Sequence, residues 1–288
     1  LSKKIIAICY DFDKTLATDD MQAFSFIPNL GLTKEEFWAK CRAFSVKNNA
    51  DPILSFLRVM IDECAARGIS LTREYLNKLG KYIEFFDGVP TWFARLNEYA
   101  ASKNMQLEHY VITSGNKEIL EGCPIFDELK NVFGCEFLYN EKGEAYWVKS
   151  VVNYTIKTQF LFRICKGAEN LTDDETVNQR VDKKRVEFRN MIYIGDGVTD
   201  IPCMTLVKEK GGTAIAVYPQ NKRELSAKLL RDDRVNYVCQ SDYSSDSELE
   251  KLIKVLIDSI ALKEQLFDKE FEQVKNSPKI SKNSPLKA

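Results

Sequence analysis

The chain has 288 residues, 44% of them hydrophobic, enough to bury one large core or two smaller ones. Its formal net charge is −1, with basic and acidic residues interspersed, so composition gives no electrostatic footprint for nucleic acid or an anionic membrane. No run reaches the roughly eighteen consecutive apolar residues of a membrane span. The apolar run behind Lys3-Lys4 is too short for a signal peptide and leads into Asp11, so a cytoplasmic protein is expected.

Ile5-Ile6-Ala7-Ile8-Cys9-Tyr10 is an unbroken apolar run of strand length, the pattern of a strand buried on both faces of a parallel sheet. It stops at Asp11-Phe12-Asp13-Lys14-Thr15-Leu16. Residues two apart in extended chain leave on the same side, so Asp11, Asp13 and Thr15 crowd one volume beyond the strand end. Crowded carboxylates require a cation, a shared proton or backbone donors. A divalent metal is the natural compensation; plain closure of the strand and capping of the next helix is the alternative.

The next seventy or so residues read as helices. Thr33 and Glu36 form a capping-box pattern opening a helix to about Asn48, and Asp51-Pro52 opens another, with Ile53, Leu54, Leu57, Met60, Ile61 and Cys64 at helical spacing before Gly68. Thr72 caps a third, expected over 73–86. This is too much helix for a crossover between neighbouring strands, which predicts an inserted helical domain over 18–87 and a core made of 1–17 and 88–275. Phe24, Phe26, Phe37, Trp38, Arg42 and Arg58 of this insert line a pocket or pack and solvate its helices, packing being the commoner use.

Asp87-Gly88-Val89-Pro90 punctuates the return. A helix is expected over 91–102, then a strand over 107–112 ending in Thr113-Ser114-Gly115-Asn116, then a hairpin of 137–139 and 145–148 across the turn at Asn140-Glu141-Lys142-Gly143. Lys157 opens an amphipathic helix to Lys166, and 168–190, dense in both charges, reads as a solvated insertion. Met191-Ile192-Tyr193-Ile194 is another short apolar strand, ending in Gly195-Asp196-Gly197-Val198-Thr199-Asp200. Strands over 213–218 and 235–238 flank a helix over 221–231; a last amphipathic helix covers 249–271, and the Ser/Lys/Pro-rich 276–288 is expected to be a disordered tail.

Eight cysteines without any C-x-x-C fit free buried thiols. A single histidine, His109, excludes a multi-histidine zinc site, and its place at the start of a strand favours a structural role. Alternating strands and helices predict an α/β fold with a doubly wound parallel sheet. Asp11/Asp13/Thr15, Thr113/Ser114/Gly115 and Asp196/Asp200 then share one sheet edge, with Lys157 opening a helix between the second and third clusters.

In this order, D-x-D-x-T, strand plus Thr-Ser-Gly, Lys157 and G-D-G-x-T-D, the chain resembles the haloacid dehalogenase superfamily of aspartate-nucleophile phosphatases over about residues 5–218. The helical insert resembles the cap of the phosphoserine phosphatase-like branch, and Asp87-Gly88-Val89-Pro90 its cap-to-core junction. The resemblance implies a Rossmann-like core and a Mg2+-dependent phosphatase for a small phosphorylated metabolite, without nucleic-acid or membrane partners. It implies that Asp11 is a nucleophile forming an aspartyl-phosphate and Asp13 an acid/base. It further implies that Mg2+ is held by Asp11, Asp196 and the carbonyl of Asp13. Thr15, Thr113, Ser114, Gly115 and Lys157 would hold phosphate, though Thr15 serves equally to close the turn. Asp200 would cap a helix or orient the lysine or a metal ligand, and Gly197 would let the backbone turn around the ion.

Two departures stand out. Motif two reads Thr-Ser-Gly where that branch has Ser-Gly-Gly, so Ser114 either crowds the phosphate or binds it, and Asp20 stands where that branch carries a substrate-reading Glu. Alternative functions are a phosphotransferase or mutase using the same intermediate, and a non-enzymatic receiver-like module that holds phosphate. Substrate identity and oligomeric state are not written in the sequence.

Overall fold

A computed structural model describes residues 3–180, 184–220 and 222–277. Among these residues β1 (Lys4–Tyr10), β2 (Met105–Asn116), β3 (Asn131–Tyr139), β4 (Ala145–Ser150), β5 (Met191–Gly195), β6 (Thr213–Tyr218) and β7 (Tyr237–Gln240) form one sheet. Its order is β4-β3-β2-β1-β5-β6-β7, parallel throughout except for the β3/β4 hairpin. The apolar run of β1 has its physical cause here: Ile6 to Tyr10 are fully buried, with a parallel neighbour on each side. The strand order reverses at β1, and the crevice at such a switch point is where ligands of open parallel sheets bind.

Helices α1 (Met21–Phe24), α2 (Phe26–Asn29), α3 (Lys34–Asn48), α4 (Pro52–Ala66) and α5 (Arg73–Leu79) lie between β1 and α6 (Val89–Ser102). They are followed by α7 (Lys117–Leu120), α8 (Ile156–Lys166), α9 (Asp174–Asn178), α10 (Ile201–Glu209), α11 (Glu224–Arg231) and α12 (Glu248–Asn276). The capping box of α3 is formed in both directions, Glu36 N donating to Thr33 Oγ1 at 3.2 Å and Thr33 N to Glu36 Oε2 at 2.8 Å. Asp51 caps α4 through the amides of Ile53 and Leu54, and Phe56, Leu57, Met60 and Cys64 form its buried stripe. Phe26, Phe37, Trp38 and Phe56 pack edge to face, with successive centroids 5.2–6.0 Å apart. These aromatics are thus packing residues, and Arg58 pairs with Asp62 on the surface.

The helix expected over 73–86 stops at Leu79. Gly80 begins a turn that packs backbone to backbone on the α7 segment; a Cβ on Gly122 would stand 1.7 Å from the carbonyl oxygen of Asn77. Beyond the turn the chain is extended and returns to the core, Thr18 N donating to Glu84 O at 2.9 Å and Phe86 N to Leu16 O at 3.0 Å. On the far side the inserted helices meet the β3–β4 hairpin and its surroundings. Ala145 N donates to Leu71 O, Asn153 Nδ2 to Asp51 Oδ2, and Arg73 reaches Glu121 and Glu136.

Other boundaries move by a few residues. The strand expected over 235–238 is β7 at 237–240, because Asn236 is spent on Ala214, accepting its N–H on Oδ1 and donating its own N–H to its carbonyl. The helix expected from Asn221 begins at Glu224, and Asn221 itself lies outside the described residues. Within the charged stretch 168–190 the described part includes α9, and 181–183 lie outside it. α12 continues through Asn276, and of the expected tail only Asn276 and Ser277 are described. All eight cysteines are buried and free. Among the described residues no helix is long and apolar enough to cross a membrane.

Candidate active site

β1 and β5 end side by side, and Asp11 N donates to Ile194 O at 2.9 Å, fixing the first aspartate against the strand that delivers Asp196. One carboxylate oxygen from each of Asp11, Asp196 and Asp200 lies within 4.8 Å of the others. Lys157, in the first turn of α8, is fully buried between Asp11 and Asp200, its Nζ 2.7 Å from Asp11 Oδ1 and 2.7 Å from Asp200 Oδ1. Burial pulls the lysine's pKa down, but the two carboxylates overcome this and raise it, so it stays charged.

Three carboxylates around one lysine leave an excess of buried negative charge. Asp11 is held above the ordinary carboxylate range by burial and by Asp200, against the pull of Lys157. Asp196 is raised by burial and then by Asp11 and Asp200. The donors are all hard oxygens with an uncompensated charge, and they fit a small divalent cation better than a thiolate- or imidazole-seeking metal.

Asp200 is the N-cap residue of α10 by position, yet its side chain makes no cap bond there. Its Oδ1 accepts from Lys157 and from the Tyr193 hydroxyl at 2.8 Å, and its Oδ2 from Gly197 N at 3.2 Å. It therefore holds the lysine and the glycine turn. Sequence reasoning misses Tyr193 because a tyrosine in an aliphatic strand reads as core. The available signal is its hydroxyl, which once buried needs a partner, two residues before Gly195.

Asp13, half-buried, accepts from Met21 N at 2.8 Å through Oδ1, which ties it to the first residue of α1. Burial, then the charges of Asp20 and Asp11, hold its carboxyl well above the usual range. Gly115 lies against it: a Cβ there would stand 2.2 Å from Met21 Cε and 3.3 Å from Asp13 Oδ2, so a side chain would have to push Met21 aside. The Gly115 amide already donates to Thr113 Oγ1 at 2.9 Å, and β2 runs on to Asn116 with a register shift after Ile112. The Ser114 hydroxyl is buried and, among the described residues, unpartnered. Thr15 Oγ1 reaches Asp196 Oδ1 at 3.4 Å, and the Thr15 carbonyl accepts from the buried Tyr243 hydroxyl at 2.8 Å.

A buried polar chain lies beneath. Trp92 Nε1 donates to the Tyr10 hydroxyl at 2.9 Å, which lies 3.0 Å from His109 Nδ1, and His109 Nε2 lies 3.2 Å from Asn97 Oδ1. The network is satisfied with the His109 proton on Nε2, and burial lowers its pKa to about 3, so it is neutral. The structural reading of His109 fits this placement.

No family model matches the chain. It is 26% identical over 277 residues to an uncharacterized protein of Borreliella burgdorferi, covering 86% of this chain and 94% of that one. Among solved structures it is similar to a HAD family hydrolase of Salmonella enterica subsp. enterica serovar Typhi, with TM-score 0.55 and 15% identity over 86% of this chain and 73% of the other. It is also similar to a probable phosphoserine phosphatase from Vibrio cholerae, with TM-score 0.56 and 13% identity over 91% and 67% of the two chains. A substrate-bound phosphoserine phosphatase gives TM-score 0.52 and 16% identity over 88% and 99%. The fold is that of the HAD-family hydrolases. Within the HAD fold the four stretches singled out in the sequence converge as expected: Asp11, Lys157, Asp196 and Asp200 meet directly, and Gly115 stands beside Asp13. Asp20 does not stand open as an acid, since it is paired with Lys14 and Lys34.

Proposed function

We propose that the protein is a Mg2+-dependent phosphatase that hydrolyses a small-molecule phosphate monoester through an aspartyl-phosphate on Asp11. The observation that carries this reading is the buried Asp11–Lys157–Asp200 row beside Asp196, with Asp13 poised two residues from Asp11. The helices within 18–87 would serve as the cap, and 1–17 with 88–275 as the catalytic core, in a cytoplasmic enzyme of small metabolites.

In the first step an Asp11 carboxylate oxygen attacks phosphorus while the ester P–O bond breaks and the Asp13 proton passes to the leaving oxygen. Burial and the charges of Asp20 and Asp11, which hold this carboxyl above the usual range, favour its carrying that proton. In the second step Asp13, now ionised, takes a proton from water as the water oxygen attacks phosphorus, the Asp11–phosphate bond breaks and phosphate leaves. Lys157 stays charged and fixes Asp11 in the attacking position. The Ser114 hydroxyl has no partner among the described residues and the Thr113 hydroxyl only accepts, from Gly115 N, so both keep an O–H donor, which supports a phosphate-binding role for Thr113 and for Ser114 rather than crowding by Ser114. Thr113 Oγ1 holds the Gly115 amide and so shapes that loop. Asp11, Asp196 and the carbonyl of Asp13 would hold Mg2+, which supplies neutralising charge between carboxylate and phosphate when bound.

Purified protein should release phosphate from a panel of small phosphate monoesters with Mg2+ and lose that turnover in EDTA. No EDTA-sensitive turnover across the panel would overturn the reading.

A further inference from the structure

Above Asp196 a cavity of about 580 Å3 opens between two walls. One is the turn after β1 with the first residue of α3, bearing Lys14 and Lys34; the other is the β6–α11 connection, bearing Tyr218, Lys222 and Leu225. That volume suits a small-molecule ligand. It reaches Asp196 without disturbing the contacts that tie the inserted helices to the hairpin side, namely Leu71–Ala145, Asp51–Asn153 and Arg73 with its glutamates.

The charges lining this mouth balance, three lysines against Asp19, Asp196 and Glu224, and an anion can be held there through lysine donors that the ion pairs leave unused. On the first wall Lys14 and Lys34 and the acids Asp19 and Asp20 neutralise one another, in pairs exposed enough to exchange with a ligand's charge. Asp20 Oδ1 binds Lys14 Nζ at 2.5 Å, its Oδ2 binds Lys34 Nζ at 3.0 Å, and Asp19 pairs with Lys34 as well. A substrate ammonium would have to displace a lysine to reach Asp20. Lys14 has one ion-pair contact there and three N–H donors, so donors remain for a ligand. Across the cavity Lys222 is exposed, and the half-buried Tyr218 and exposed Leu225 give an apolar surface.

We infer that this mouth selects phosphate monoesters whose body carries a second anionic group, a carboxylate or a second phosphate, held by Lys14, Lys34 and Lys222 with the carbon skeleton against Tyr218 and Leu225. The inference rests on the phosphatase reading of the same site and names its substrate class.

The test compares size-matched esters with Mg2+: a phosphorylated hydroxy acid, a sugar bisphosphate, a neutral sugar monophosphate and an ammonium-bearing phosphate ester. kcat/KM should be at least about tenfold higher for the better of the two anionic bodies than for the neutral one, and lowest for the ammonium ester. Which anionic ester leads distinguishes carboxylate from phosphate. Lys34→Met and Lys222→Met should each cut the anionic-to-neutral ratio by about fivefold. A preference for the neutral or ammonium body, or a ratio unmoved in both variants, overturns the inference. In parallel, calorimetry on the wild type compares a phosphonocarboxylate with an alkylphosphonate of the same length. Tighter binding of the phosphonocarboxylate without any turnover would sink the phosphatase reading and keep this one; turnover with equal binding would do the reverse.

Discussion

At the floor of the site Lys157, Asp11 and Asp200 are joined by 2.7 Å ion pairs with side chains 1%, 8% and 0% exposed, whereas at the mouth Lys14, Lys34 and Asp20 make comparable pairs at 43%, 32% and 18% exposure. Similar chemistry is therefore held under two different dielectric regimes. Buried, an ion pair is costly to assemble and more costly to break, because the surviving partner is left as a bare charge. Half in water, a pair contributes little and can be exchanged for a ligand's charge. On the proposed function the floor would carry the reaction and the mouth the choice among substrates.

The sharpest way to break this contrast is to remove one cation from each place. Lys157→Met leaves Asp11 and Asp200 facing each other without a counter-charge, and denaturant unfolding should show a loss of about 3–5 kcal/mol, with turnover abolished. Added Mg2+ should recover part of that loss by binding only the folded chain. Lys34→Met should cost less than about 1 kcal/mol. Equal losses at the two positions would contradict the contrast.

A second effect lies beneath the floor. His109 takes its proton near pH 6.5 when unfolded and only near about 3 when folded. Below pH 6.5 the unfolded chain binds a proton that the folded chain refuses, so the stability due to the neutral imidazole is complete above pH 6.5 and is lost as pH falls toward 3. Between pH 7 and pH 5 the stability of the wild type relative to His109→Gln should fall by about 2 kcal/mol. Measuring that difference by denaturant titration at both pH values cancels the contribution of the carboxylates at the site; a flat difference would show that His109 titrates in the fold as it does in the unfolded chain, and a rise toward pH 5 that the fold holds it protonated.

The smallest effect is at Tyr193. Tyr193→Phe removes one of the two donors on Asp200 Oδ1 and should cost about 1 kcal/mol of stability. Because the loss loosens Asp200, which holds Lys157, and leaves the cavity lining untouched, kcat should fall with KM nearly unchanged. A rise in KM alone would move Tyr193 to the binding side of the comparison.

The floor was legible because each of its parts is a local pattern: a short apolar run that stops at acids, twice, and a lysine opening a helix. The parallel sheet then had only one edge on which to gather them. The mouth was not legible. It joins Lys14, Lys34 and, from a third segment, Tyr218, Lys222 and Leu225, and lysines, tyrosines and leucines at such places carry no pattern of their own. The overlong helix expected over 73–86 failed for a related reason. Its apolar spacing continues through Ile83 and Phe86, but the backbone of Asn77 and Gly80 lies directly against that of Ile119 and Gly122, and this contact bends the chain back to the core; long-range packing overrides local period. Tyr193 was hidden by the opposite effect, a polar group inside a strand whose other residues are apolar.

On the proposed function Asp11 becomes phosphorylated during turnover. Protein quenched in acid while hydrolysing a reactive phosphate monoester with Mg2+, then reduced with borohydride and sequenced by mass spectrometry, should carry homoserine at position 11. Asp13→Asn should accumulate more of it, because discharge by water loses its base, and Asp11→Asn should show none. Turnover without modification at position 11, or modification that persists in Asp11→Asn, would contradict it.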